Sequence, residues 1–416
     1  VRKQIEGSRA VAETVAACRP QVIPAYPITP QTHIVEALGA MTRTGTLAGC
    51  EFLTVESEFA AMSAAIGASA AGSRAYTATA SQGLLYMVEA LYNASGLGLP
   101  VVMTMANRAI GAPINIWNDQ SDSMSQRDCG WVQLYAEDNQ AAVGLHVVAF
   151  RLAEQLSVPV MVCVDGFVLT HAVEGVDVPD QALVDTYLPA FRPRQLLDPE
   201  DPMTIGAMVG PEAYTEVRVL SHLALMRALT EFPELADDYA ALSGHPLEPV
   251  SSYRVEGACT VLVTLGSVTG TARDLADDLA AEGTPVGVVS LTLYRPFPAD
   301  AVRAALARAQ HVVVLERAFA PGAGGVVSAD VLAALVGLPV KVSTVVAGLG
   351  GRAITRAALR SVVSDVQEGR LEDFTFLGLD REVVDREFAR TAGPHSVGVP
   401  TQNLLRHAGP PASRIG

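Results

Sequence analysis

Short β-branched and aromatic runs alternate along this chain with longer segments whose apolar positions recur at helical spacing, the strand–helix–strand rhythm of an α/β protein. In the first half the pattern predicts strands at Val22–Ala25, Phe52–Val55, Tyr76–Thr79, Val101–Met105, Trp131–Tyr135 and Pro159–Asp165. Helices are predicted between them: Ala10–Cys18 with Ser8 as its N-cap, Gln31–Met41, a small-residue helix opening at Glu58, Gly83–Ser95 and Asp138–Gln155. Their alternation implies a parallel sheet flanked by helices. A second alternation has strands at Thr260–Leu265, Val286–Ser290, His311–Leu315 and Val340–Val346.

Between the two, Pro189, Pro193, Pro199, Pro202 and Pro211 crowd a stretch that reads as a strap, followed by a long helix from about Tyr214 to Leu242. The domain reading is therefore 1–187 for the first α/β domain, 188–250 for strap and helix, 251–367 for the second α/β domain, and 368–416 for a poorly patterned arm expected to wrap a partner. One segment breaks the rhythm. From Asn107 to Arg127 no period is visible, yet Ile114, Ile116 and Trp117 are residues that disordered loops avoid, so the segment is expected to be ordered against something.

Composition narrows the function. At 416 residues and 50% hydrophobic content the chain can bury more than one core. Its 29 basic against 44 acidic residues give a net charge of −15, which argues against nucleic acid or an anionic membrane surface as partner. The apolar runs Val158–Val164 and Thr260–Leu265 fall far short of the ~20 residues a spanning helix needs. Lysine occurs only at positions 3 and 341, which leaves a Schiff-base mechanism almost nowhere to reside. The five cysteines lack CxxC spacing, which fits a cytoplasmic location and excludes an iron–sulfur cluster or zinc knuckle held by this sequence alone. The eight histidines form no HxxxH pair, so no metal site is read here.

Candidate chemistry gathers at strand ends, where ligands sit in open α/β sheets. Thr29 stands between two prolines in Tyr26-Pro27-Ile28-Thr29-Pro30, and Pro30 holds it extended at a strand-to-helix junction. Arg108 directly follows a strand and presents a planar, permanently charged donor fork. Glu56 suits a first-turn acid beside the helix dipole, whereas Glu58 is followed by Phe59, Ala60, Ala61 and Met62. Those neighbours desolvate its carboxyl, the circumstance in which a carboxyl serves as general acid/base. Asp119 and Asp122 read as loop-ordering residues, and the glycine turns at Gly322–Gly325 and Gly348–Gly351 as structural. Thr79-Ala80-Ser81-Gln82-Gly83 looks like a nucleophile elbow without its first glycine, which leaves a serine hydrolase as a minor alternative.

Taken together, Tyr26–Pro30, Glu56-Ser57-Glu58, Thr79–Gly83, Asn107–Ile110, Ile114–Asp119 and Asp165-Gly166-Phe167 resemble the α subunit of the pyruvate:ferredoxin oxidoreductases, in the 2-oxoacid:ferredoxin oxidoreductase superfamily. Tyr294–Pro298 and Val312–Gly325 resemble the transketolase C-terminal-like domain of that subunit. The resemblance covers nearly the whole length; Phe59 and Ala60 stand where the family pattern carries His and Ser. It implies a thiamine-diphosphate pyrimidine-binding domain followed by that second domain. It implies oxidative decarboxylation of pyruvate or a similar 2-oxoacid, with coenzyme A taking the acyl group and electrons passing singly to iron–sulfur clusters and ferredoxin. Glu58 matches the residue that exchanges a proton with the aminopyrimidine, Thr29 and Arg108 those that hold the substrate carboxylate, and Pro27, Ile28, Ser81 and Gln82 line the cofactor. The sequence has no Gly-Asp-Gly diphosphate segment, so the diphosphate half of the site, Mg2+ and the [4Fe–4S] clusters are expected on β-, γ- and δ-type subunits. A structural subunit without catalytic residues, and an oxalate-type substrate, are the alternatives.

Overall fold

Strand register decides where a site can form, and here it lines up the carboxyl ends of one parallel sheet. In the computed structural model, which describes residues 2–391 together with 401, 402 and 404, the first sheet has the order Leu293–Arg295, Val132–Tyr135, Val160–Asp165, Val102–Asn107, Tyr76–Thr79. The last four strands are parallel and buried along their whole length, as strands covered by helices on both faces must be. A parallel pair, Val22–Ala25 with Glu51–Thr54, continues this layer through a bridge from Val22 to Ala75. Ala25 pairs with Thr54, Thr79 with Met105 and Asn107 with Asp165, so the segments that follow all emerge at one edge.

The second sheet has the order Phe374–Phe376, Lys341–Val346, His311–Glu316, Thr260–Leu265, Val286–Leu291, Val250–Tyr253. Its four central strands are parallel and Val250–Tyr253 is antiparallel. One core cluster joins both sheets, with Tyr135, Met161 and Cys163 packed in the same group as Val263, Leu291 and Val314. The strand Leu293–Arg295 follows directly on the second sheet's Val286–Leu291 yet pairs with Val132–Tyr135 of the first, Leu293 opposite Leu134. Two compact units result, Val1–Thr375 and Phe376–Gly416. Within the second the helix Arg381–Thr391 is described; most of the remainder of the expected arm lies outside the described residues.

Several predicted elements shift. Ser8 is not an N-cap: an antiparallel pair, Arg2–Glu6 with Val173–Asp177, delivers the chain into a helix that begins at Gly7, and Ser8 inside it donates its hydroxyl to Thr170 O at 2.8 Å. The helix predicted at Gly83–Ser95 starts at Ser81 and breaks at Met87, giving Ser81–Tyr86 and Val88–Gly96. The long helix is two, Tyr214–Met226 and Ala228–Ser243, although its apolar period runs unbroken through Arg227. Residues 108–120 have no regular structure and are followed by the short helix Ser121–Ser125. That segment is ordered as expected. Gln120 N–H donates to Arg317 O at 2.7 Å, Gly351 N–H to Asn118 O at 2.7 Å and Gly350 N–H to the Asp119 carboxylate at 3.1 Å, so the glycine turn at Gly348–Gly351 serves to receive it. Among the described residues no helix is long and apolar enough to cross a membrane.

Candidate functional site

Five chain segments meet at the carboxyl edge of the first sheet, and buried polar side chains fasten them. The turn after Val22–Ala25 is held by Gln31, which is fully buried and donates through Nε2 to Tyr26 O at 3.1 Å and to Ala78 O at 2.7 Å. That fixes Thr29, exposed at the rim, against the end of the neighbouring strand. Pro27 is exposed and Ile28 half-buried against the shared core.

The next segment brings Glu58. Ser57 caps the helix Glu58–Ala70 by accepting from Ala60 N–H at 3.1 Å, which leaves Glu58 as the first helical residue. An acid there normally faces water, but this one is 8% exposed. Its wall is Gly83: a Cβ on Gly83 would stand 2.8 Å from both Cγ and Oε1 of Glu58 and would collide with Thr79 Oγ1. Thr79 Oγ1 is itself buried without a hydrogen-bond partner, and among the described residues no donor engages the Glu58 carboxylate. The cradle is thus shaped around a carboxylate with an acceptor and a hydroxyl left unused.

The third and fourth segments are joined by Asp122. Fully buried in the short helix after the irregular segment, its carboxylate accepts from Ser81 N–H at 3.0 Å, Arg108 N–H at 2.8 Å, Asn107 Nδ2 at 2.8 Å and Ser123 N–H at 2.7 Å. Burial pushes this carboxyl up to about 7, opposed by the N–H donors of Arg108 and Asn107. Ser81, pinned this way, adopts φ +47°, a left-handed value that an L-residue holds only when its surroundings fix it. Its hydroxyl lies 2.5 Å from Ala109 O and close to Gln82 Oε1. Among the described residues no histidine hydrogen-bonds it.

Arg108 is the hub of the polar wall. It is 6% exposed, and it donates to Thr29 O at 2.8 Å, Asn115 O at 3.2 Å and Gln82 Oε1 at 3.3 Å. Burial lowers its pKa from the usual guanidinium value, and Asp122 opposes that shift. A guanidinium has five N–H donors; with these three used, two remain on the terminal nitrogens for an anion. The structure therefore brings Thr29, Ser81, Gln82 and Arg108 into one bonded set and places Glu58 against Gly83, one residue beyond Gln82.

Sequence reasoning passed over Gln31 and Asn107 and assigned Asp122 only to loop ordering. The available signal was position alone, since each lies within or directly beside a motif that had been singled out. Outside the cradle, Phe59 (39% exposed) and Tyr86 (62%) put their rings 6.4 Å apart, and Ile114 is 78% exposed. Phe59 and Tyr86 thus form an exposed aromatic pair beside the cradle.

Residues 13–235 match the family described as pyruvate flavodoxin/ferredoxin oxidoreductase, thiamine diphosphate-binding, and residues 258–359 match pyruvate:ferredoxin oxidoreductase core domain II. The chain is 44% identical over 370 residues to pyruvate synthase subunit PorA of Methanosarcina barkeri, covering 88% of this chain and 92% of that one. It is 36% identical over 380 residues to ketoisovalerate oxidoreductase subunit VorA of Pyrococcus abyssi, covering 89% and 96%. In fold it is similar to the 2-oxoglutarate:ferredoxin oxidoreductase from Magnetococcus marinus, with a TM-score of 0.67 at 21% identity, covering 88% of this chain and 65% of that longer one.

Proposed function

The chain belongs to the pyruvate flavodoxin/ferredoxin oxidoreductase family, and from that premise we propose that it is the α-type subunit of a thiamine-diphosphate-dependent 2-oxoacid:ferredoxin oxidoreductase. The complex oxidatively decarboxylates pyruvate or a similar 2-oxoacid, and its reaction is reversible. The observation that carries the assignment of roles is Glu58, buried in a cradle that only a glycine at position 83 leaves open. Thiamine diphosphate bound there would supply a nucleophilic ring carbon and a cationic ring able to take up the electron pair of the bond that releases carbon dioxide.

This chain's residues provide the setting for that chemistry. Glu58 would hold or take a proton at a ring nitrogen of the cofactor's aminopyrimidine, and the unpartnered Thr79 hydroxyl would offer an adjacent polar contact. Arg108 turns its two remaining N–H groups on the 2-oxoacid carboxylate, with Thr29 supplying a hydroxyl from the rim. Pro27, Ile28, Ser81 and Gln82 complete the wall. Asp122 acts through its neighbours, holding Ser81 and the Arg108 backbone in register.

The diphosphate, its Mg2+ and the [4Fe–4S] clusters belong on β-, γ- and δ-type partner subunits; the support is a sequence without Gly-Asp-Gly or paired CxxC runs and an apolar surface around Phe59 and Tyr86. Coenzyme A receives the acyl group and ferredoxin the electrons, in the cytoplasm. Reconstitution tests the reading: partner subunits mixed with this chain should reduce ferredoxin on addition of pyruvate and coenzyme A, and should fail when it is omitted. Full activity of the partners alone would reduce this chain to a structural cap.

A further inference from the structure

Away from the cradle, three metal-ligating side chains from distant parts of the sequence converge. Glu6 ends the strand Arg2–Glu6, His33 is the second residue of the helix Thr32–Arg43, and His171 lies in the turn before Val173–Asp177. One donor atom from each lies within 4.8 Å of the others. Glu6 Oε1 and His33 Nδ1 are 2.6 Å apart, and the two imidazole rings have centroids 4.7 Å apart.

Two details distinguish this cluster from a chance surface ion pair. Glu6 occupies the N-cap position of the helix Gly7–Ala17 yet makes no side-chain capping bond, its carboxylate being turned to His33 instead. His171 is oriented from behind: Thr170 Oγ1 sits 2.8 Å from its Nδ1, and Thr170 is fixed by Phe167 N–H to its hydroxyl and by Ser8 to its carbonyl. A hydroxyl on Nδ1 leaves Nε2 as the free donor, the outer-sphere arrangement that metal-ligating histidines use. His33 is exposed, which gives an ion a way in.

We propose that Glu6, His33 and His171 bind a divalent transition metal of the zinc type. Two imidazole nitrogens and one carboxylate oxygen suit Zn2+ or Co2+, with a fourth position left to water, and do not suit Mg2+ or Ca2+, which select oxygen donors. Bonds of about 2 Å require the 2.6 Å Glu6–His33 hydrogen bond to open and the three side chains to rotate onto one centre. The cluster neighbours, in sequence or in packing, the two segments whose carbonyls Arg108 holds, those of Thr29 and Asn115. His33 follows Thr29 by four residues and Pro30 by three, while the His171 ring packs 4.7 Å from Phe167, which packs 4.9 Å from Trp117 in the segment carrying Asn115. The inference rests on this geometry alone and stands apart from the assignment of the 2-oxoacid reaction.

The test uses the full chain carrying Cys259→Ser, which removes an exposed thiol, after chelator dialysis and titration with Co2+. One equivalent should bind and produce visible d–d absorption, which Zn2+ then displaces. His33→Ala and His171→Ala should each weaken binding by about 100-fold or more, and Glu6→Gln should weaken it less. His33 is exposed, so its variant keeps the metal-free melting temperature of the parent and isolates the ligand effect. Absence of a one-to-one complex in the parent, or a Co2+ spectrum and affinity unchanged in His33→Ala, overturns the proposal.

Discussion

Gly83 and Glu58 are in such close register that a single added methyl on Gly83 would stand 2.8 Å from the Glu58 carboxylate oxygen. The cradle is therefore defined by an absence of side chain, and filling it has a definite consequence. Gly83→Ala pushes Glu58 or Thr79 aside, at an overpacking cost of about 1–3 kcal/mol. Thiamine diphosphate affinity of the assembled complex, measured by calorimetry, should fall by at least about tenfold, with the subunits still assembled; unchanged affinity would mean the cofactor lies elsewhere.

Arg108 is expected to act on substrate binding through its fork. Arg108→Lys keeps a charge but cannot reach Thr29 O, Asn115 O and a carboxylate together. Loss of charge-assisted bonds worth about 1.5–3 kcal/mol predicts a KM for the 2-oxoacid raised roughly 10- to 100-fold. Steady-state kinetics with and without saturating substrate check it.

Stability should depend on one buried ion pair between the sheets. Asp165 ends a strand of the first sheet and accepts from Arg317, just beyond a strand of the second, at 2.5 Å with side-chain exposures of 1% and 6%. Ser267 N–H at 2.9 Å, the Ser267 hydroxyl and Gln120 Nε2 at 3.1 Å also donate to the carboxylate. Asp165→Ala strands a buried guanidinium and should cost about 3–5 kcal/mol, whereas the double variant with Arg317→Met should cost less than the sum. Denaturant unfolding of the four proteins measures the coupling.

Acid sensitivity should trace to His146. Its Nδ1–H donates to Ala142 O at 2.7 Å and Nε2 accepts from Thr104, whose hydroxyl also meets Tyr76 at 2.6 Å. Burial lowers its pKa from 6.5 to about 4. The unfolded chain thus binds the proton first, so this group's contribution is whole above pH 6.5 and declines as pH falls toward 4, by up to about 1.4 kcal/mol per pH unit. His146→Gln should be less stable at pH 7 and should lose less on acidification; equal slopes in melting temperature against pH would contradict the assignment.

Much of this was legible in the sequence, for reasons that differ by residue. The parallel strands were visible because burial on both faces leaves continuous apolar runs, and Thr29, Glu58 and Arg108 were singled out because strand ends are where such sheets place ligands. Asp122 was seen but undervalued: a buried aspartate in a polar stretch looks the same in sequence as a solvated one until the backbone N–H groups of Ser81 and Arg108 are seen to converge on it. Gln31 was missed for the same reason. The strand Leu293–Arg295 crosses to the other sheet, a pairing set by tertiary packing that no local period encodes. The Glu6, His33 and His171 group was invisible because its spacing exists only in the fold.

The most direct test of the central claim is Glu58→Gln in the assembled complex, assayed for pyruvate-dependent ferredoxin reduction. Glutamine keeps the shape of the side chain in its cradle and cannot hold or release the proton. The account predicts a loss of turnover of about 10²- to 10⁴-fold, with thiamine diphosphate still bound and the complex intact. Turnover near that of the parent would contradict it.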